Sequence, residues 1–276
     1  MTTPVENLDI LLSRDELVFL LHALKADFVI PGLDPDPTGQ PTQEQKDFSL
    51  AHAESALRAR NLVTLNKKGR LDVQETLLSM LNTCAYPELM ISLHHFPINK
   101  APSRTFWNLR SDVIVTHNRF EPSLHGFSML KDRHVLCEQI VDSCKLMTSE
   151  KPDLPEVVIT NQVLKVARET VAKNLSETVQ KLTSSGVDEQ IAKELCVTLA
   201  GQHAVSALHL AAQGPDQPPV QEAVTLLNGQ TCTWLIINRE QPDQISLKVI
   251  NRSELLDLVT RWTDMVENWS KIPAAS

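Results

Sequence analysis

Nine histidines and five cysteines carry most of the chemistry open to this 276-residue chain, and their spacing argues against most of it. A metal site needs ligands that share a face. His94 and His95 are neighbours in an alternating segment and point to opposite sides of a strand. His203 and His209 lie six apart in a segment that reads as helix, a rotation of about 240°. No HExxH spacing occurs. His117, beside Asn118 and Arg119 near a strand end, is the one histidine placed to join a polar cluster. Cys84, Cys137, Cys144, Cys196 and Cys232 form no CxxC pair and are odd in number, which disfavours a disulfide framework or a zinc ribbon. Cys137 and Cys144, seven apart on one helix face, read as small core hydrophobes. The segment Asp34-Pro-Asp36-Pro-Thr38-Gly39 opens like a calcium loop. Its twelfth position is Gln45 rather than a bidentate Glu, so it reads as a Pro-rich turn. GxSxG, Walker and GxGxxG patterns are all missing. The expectation is a protein with no catalytic residue, no cofactor and no metal, and not an enzyme.

Charge narrows the partners. The 26 Lys and Arg against 34 Asp and Glu give a formal charge of −8, which disfavours a broad nucleic-acid surface. One basic cluster runs the other way: Arg58, Arg60, Lys67, Lys68 and Arg70 sit where a helix runs into a short hairpin, in imitation of a winged helix. That arrangement is the alternative reading, a DNA-binding regulator whose basic wing neutralises phosphates. Aromatics make up only 4% of the chain, so those placed in turns carry weight. Phe96 and Ile98 border one turn and Phe120 occupies another, which makes these three the candidate partner-binding residues. The first residues lack a basic and then apolar leader, and the most apolar window, 17–24, is interrupted by His22 and far too short to span a bilayer. A reduced, soluble, cytoplasmic protein is expected.

The elements that must hold these residues are signalled by capping and periodicity. Ser13 and Glu16 form a capping box ahead of Leu17, Leu20, Leu21 and Leu24 at helical spacing, and Thr42 with Gln45 repeats the device. Residues 61–73 read as a hairpin turning at 66–69, followed by a helix over 74–81. The period then alternates, predicting strands over 88–95, 105–120 and 124–130, and a helix over 132–146. Residues 147–156, with Pro152 and Pro155, read as a linker. A long helical pattern through Val163, Ala167, Val171, Leu175, Val179 and Leu182 stops at Gly186. A second, capped by Asp188, carries Ile191, Leu195 and Leu199 and continues from Ala204 to Leu210. Strands over 222–228, 231–240 and 245–251 and a helix over 253–269 close the chain.

Laid over each other at an offset of 120, the two strand regions match in order. Asn108, Asn118, Arg119 and Pro122 fall on Asn228, Asn238, Arg239 and Pro242, while Ile114, Val115, Phe127, Met129 and Leu130 fall on Trp234, Leu235, Leu247, Val249 and Ile250. The expected fold is α+β, with pseudo-duplicated halves (1–150 and 151–276) in quasi-twofold symmetry. Antiparallel β-meanders form a central sheet flanked by helices and a helical bundle.

This layout resembles a known family. It carries a leucine-rich first helix that begins LSRDEL, an L-x-x-R-x-L-V step into a hairpin (Leu57, Arg60, Leu62, Val63) and Tyr86-Pro87 before the first meander strand. It also has an L-x-x-x-G-V-x-x-x-x-A step between long helices (Leu182, Gly186, Val187, Ala192) and a terminal strand-to-helix unit. In these respects the sequence is similar to the EspG family of type VII (ESX) secretion-associated chaperones, over nearly its whole length. The resemblance implies a cytoplasmic chaperone without a catalytic site. Such a protein grips the tip of a helical PE/PPE-like substrate, a secreted protein or heterodimer, with the sheet and helices of its second half. No residue-level binding motif of the family is matched, so Phe96, Ile98 and Phe120 rest on their own placement.

Overall fold

The computed structural model describes residues 9–26, 30–33, 39, 41–121, 123–147, 154–214 and 218–270. The Asp34 to Thr38 turn and most of the 147–156 linker fall outside them. The fold is α+β, with helices and antiparallel strands in separate blocks. The chain divides into two compact units, one of residues 1–90 with 104–136 and one of 91–103 with 137–276.

In the first unit a short strand absent from the expectation, β1 (Asp9–Ser13), runs directly into α1 (Arg14–Ala23). The Ser13 hydroxyl accepts from the Glu16 amide at 3.1 Å, and the Glu16 carboxylate accepts from the Ser13 amide at 2.7 Å. Two orphan helix donors are thus satisfied reciprocally. Thr42 and Gln45 do the same for α2 (Gln43–Ala59). The hairpin β2 (Val63–Leu65) and β3 (Leu71–Val73) and helix α3 (Glu75–Ala85) follow. The expected strand over 105–120 is two strands, β5 (Ser103–Arg110) and β6 (Val113–Glu121). Ser111 turns between them with φ 51°, its amide held by the Glu88 carboxylate at 2.9 Å. With β7 (Leu124–Leu130) they pair antiparallel in the order β1-β7-β6-β5. Leu12, Val115 and Phe127 face Leu17 and Leu20 of α1, Leu57 of α2 and Leu77, Met80 and Leu81 of α3, which together make the core.

The second unit repeats the plan with β8 (Val157–Thr160), α5 (Asn161–Val171), α6 (Leu175–Ser184), α7 (Glu189–Ala200), β9 (Ala204–Ala212), β10 (Val220–Asn228), β11 (Thr233–Asn238), β12 (Gln244–Ile250) and α8 (Arg252–Ser270). Its strands run in the order β9-β10-β11-β12-β8, with β4 (Leu89–Pro97) beside β9. Trp234 is fully buried among Leu227, Leu247 and Val249 of the sheet and Leu164, Leu182, Leu195 and Leu199 of α5–α7. Its Nε1 donates to the Thr198 hydroxyl at 3.1 Å, so the indole leaves no unpaired donor in the core. On the opposite face Trp262 of α8 donates to Glu222 at 2.6 Å. Arg252 pairs with Glu138 and Asp142 of α4 (Arg133–Ser143).

Two expectations are corrected here. The helix expected through 163–182 is broken into α5 and α6, because the Asn174 side chain accepts from the Glu177 amide at 3.1 Å and starts a new helix. Residues 204–210 are strand, not helix. Ala204, Ser206, Leu208, Leu210 and Ala212 are buried in alternation, and β9 pairs with β10 along nine residues. Strand pairing overrides the helical preference of the four alanines.

Each half of the chain reads strand, three helices, four-stranded meander, helix, with β2–β3 inserted only in the first. The registers sharpen the repeat. Ser13, the N-cap of α1, pairs with Leu124, and Thr160, the N-cap of α5, pairs with Gln244, which is 120 further on. On β6 and β11 the offset is 119: Arg119 pairs with His125, and Asn238 with Ile245. The connection after β11 is one residue longer. The overlay at 120 is therefore right for Phe127, Met129 and Leu130 and one residue out for Ile114, Val115, Arg119 and the matched asparagines. Asn108 donates to Cys84 on the helix-covered face, whereas Asn228 donates to the Cys144 carbonyl on the other.

Candidate partner-binding surface

The cysteines and a close histidine–serine pair of the second unit are buried. His95 Nδ1 and the Ser206 hydroxyl are 2.8 Å apart, a nucleophile-and-base distance between residues 111 positions apart, which no local pattern could pair. Ser206 has no exposed surface, so its hydroxyl satisfies the imidazole and meets no substrate. Burial, helped by the Lys145 charge, lowers the His95 pKa. All five cysteines are buried and free. Burial pushes Cys84 up, Cys144 to about 12 and Cys196 to about 11, so these remain thiols and poor nucleophiles at neutral pH. Among the described residues no group of three or more His, Cys, Asp or Glu is placed to hold a metal ion. None of their helices is long and apolar enough to cross a membrane.

What lies open is one end of a sheet face in the second unit. Helices α5–α7 cover Trp234, Ile236, Leu247, Val249 and Val205. Further along the same face, Ala207 and Ala211 are half-buried, and His209 and Ala223 are exposed. Strand β4 extends this face. The His94 and His209 rings meet edge to face with centroids 5.7 Å apart, and Phe96, two residues beyond His94, shares its side. Phe96 is 48% exposed and Ile98 49%, and the Ile98 amide donates to the His203 carbonyl at 2.8 Å, which fixes the turn beside β9. The expected helical separation of His203 from His209 is overturned. On β9, His209 stands beside His94, a pairing the sequence missed because that segment read as helix.

On the same unit α5 and α6 line a cleft of about 440 Å³ floored by Val163, Val166, Ala167 and Leu182. Lys181 and Glu177 pair across 2.7 Å on its rim, and the Lys181 ammonium holds the Glu177 carboxyl below its usual range. An apolar floor with a charged rim is a surface that accepts the apolar side of a helix.

Phe120 belongs to the first unit and is 62% exposed. Its ring lies over Gly126 of β7, where a Cβ would stand 2.6 Å from the ring edge, and beside exposed Leu11 of β1. The five basic residues do not act as one group. Arg60 donates to Glu16 at 2.6 Å and to the Leu11 carbonyl at 2.7 Å, and so serves the fold. Arg58 pairs with Glu54 at 3.5 Å within α2. Lys67, Lys68 and Arg70 are exposed around a tip built by Asn66, whose side-chain oxygen accepts from the Lys68 and Arg70 amides.

No family model and no curated protein sequence matches the chain. Among solved structures it is similar to that of the Mycobacterium tuberculosis type VII secretion system chaperone EspG5 in complex with the PE25–PPE41 dimer. The likeness has a TM-score of 0.68 at 13% identity and covers 93% of this chain and 96% of that one, so the fold of this protein is EspG-like.

Proposed function

We propose that the protein is a cytoplasmic secretion chaperone or adaptor, without catalysis, that captures a helical type VII substrate, a PE/PPE-like protein or heterodimer. The observation that carries this reading is the likeness, over almost the full length of both chains, to a chaperone held in complex with a PE–PPE dimer. The open sheet face offers such a partner what it needs. Phe96 and Ile98 supply apolar area, the alanines on β9 and β10 allow close approach, and the α5–α6 cleft of the same unit adds a second apolar recess. Phe120 with Leu11 is a second apolar contact of the same kind, on the first unit.

Affinity purification of the full chain from its native cells, followed by size-exclusion chromatography and mass spectrometry, tests the reading. The expected product is a stoichiometric complex with a small helical protein or heterodimer. Repeated captures that return only background would remove the main support for a chaperone.

A further inference from the structure

The first unit contains a buried polar feature with no counterpart in the second. His117 of β6 and His125 of β7 have no exposed surface, and His117 Nε2 stands 3.0 Å from His125 Nδ1. One neutral imidazole donates across that distance and the other accepts; a first proton keeps that bond but buries a charge among aromatic rings, and a second leaves two imidazolium rings that have only donors and cannot bond. The His117 ring stacks on Phe127 at 4.5 Å and 6°, and on Phe106 at 5.6 Å and 25°. Gly32 closes over this stack. Its φ is +88°, and a Cβ there would stand 2.6 Å from the Phe106 ring and 3.3 Å from His117 Cε1.

The internal repeat supplies the comparison. His117 pairs with Phe127 as Ile236 pairs with Leu247, and Arg119 pairs with His125 as Asn238 pairs with Ile245. Where the first unit has two histidines, the second has two isoleucines. The sheet therefore packs at these positions with aliphatic side chains, and the histidines are not required by the architecture.

We propose that the His117–His125 pair is an acid-operated latch: while both imidazoles are neutral it seats residues 30–33 on the sheet, and protonation releases that segment and loosens the β6–β7 ladder. The titratable and charged groups on the facing elements are His125 from β7, Arg119 from β6 and Arg104 from β5, which lies opposite Arg119, with α3, packed on β6 and β7, bringing the buried Cys84 thiol and the exposed Glu75. Residues 30–33 bring none. Burial first, then His125, hold His117 down at a pKa of about 3, with Arg119 adding to them and the Pro31 backbone acting in the opposite sense. A folded-state pKa below the ordinary histidine value means that the open form binds the proton. The stability tied to the pair is intact above about pH 6.5 and is lost as pH falls from there towards 3.

Hydrogen exchange on the full chain between pH 7.5 and 5, corrected for intrinsic rates, tests the latch. Opening of residues 113–121 and 124–130 should rise about tenfold per pH unit below 6.5 for each proton taken up, while the β11–β12 ladder changes little. The double variant His117→Ile with His125→Ile copies the second repeat and should show a flat profile. Equal loosening of both ladders in the wild type, or an unchanged acid response in the variant, would overturn the proposal. If that variant does not fold, imidazole NMR of the wild type decides. His117 should stay neutral at pH 5 in the closed form, and titration there at the ordinary histidine value would contradict the latch.

Discussion

Arg60 illustrates how a side chain's surroundings decide its work. In the sequence it belongs to a basic cluster; in the fold its guanidinium joins α2 to the start of α1 through Glu16 and closes the outer edge of β1 at the Leu11 carbonyl. An unpaired strand edge invites foreign strands, and a charged side chain laid on it discourages them. Arg60→Ala should therefore destabilise the protein by about 1–3 kcal/mol, since it takes the cation from the largely buried Glu16 carboxylate and leaves it only the Ser13 amide. Lys67→Ala and Lys68→Ala at the exposed tip should stay within about 0.5 kcal/mol. Urea midpoints of the three variants check this, and equal costs would contradict it. At this scale the sequence disclosed what is local. The capping boxes at Ser13 and Thr42 were legible because their partners are three residues apart, whereas the expected cluster of His117 with Asn118 and Arg119 is replaced by a stack on Phe106 and Phe127 with His125 as polar partner. The His117–His125 and His95–Ser206 contacts depend on strand pairing and were not legible.

Elements were legible where capping and period agree and lost where they conflict. Both capped helices of the first unit, the β2–β3 hairpin and the closing helix α8 follow from their patterns. The α5–α6 break was hidden because apolar residues keep helical spacing across it, and only the Asn174 side chain, bonding to the Glu177 amide, marks the new start. Asn174→Ala should cost about 1 kcal/mol in the thermal or urea unfolding of the protein, while Asn174→Ser, which restores the cap, should cost a few tenths. Equal losses would mean that the break is held by packing, such as the buried contact between the Thr170 and Thr178 hydroxyls, rather than by the cap. Strand β9 was misread because alanines favour helix. Strands β1 and β8 were missed because four or five residues carry too short a pattern to read.

For the whole molecule, duplication is the organising fact. The order of elements carries it more firmly than residue identity, and the registers show why: the two meanders drift by one residue at the β11–β12 connection, so Asn108, Asn118 and Arg119 are not equivalent to the residues 120 further on. The two copies have diverged in what they bury and what they expose. The first buries a histidine pair, while the second leaves part of a sheet face open and carries an apolar cleft between two of its helices. The partner surface was legible only in part, since Phe96 and Ile98 stood out as apolar turn residues but the face they border depends on β9. The most direct test compares capture of the helical partner by the wild type and by Phe96→Asp with Ile98→Asp, at matched concentration, alongside their melting temperatures. The account predicts that capture falls at least tenfold while melting is unchanged within a few degrees. Undiminished capture by a folded double variant would contradict it.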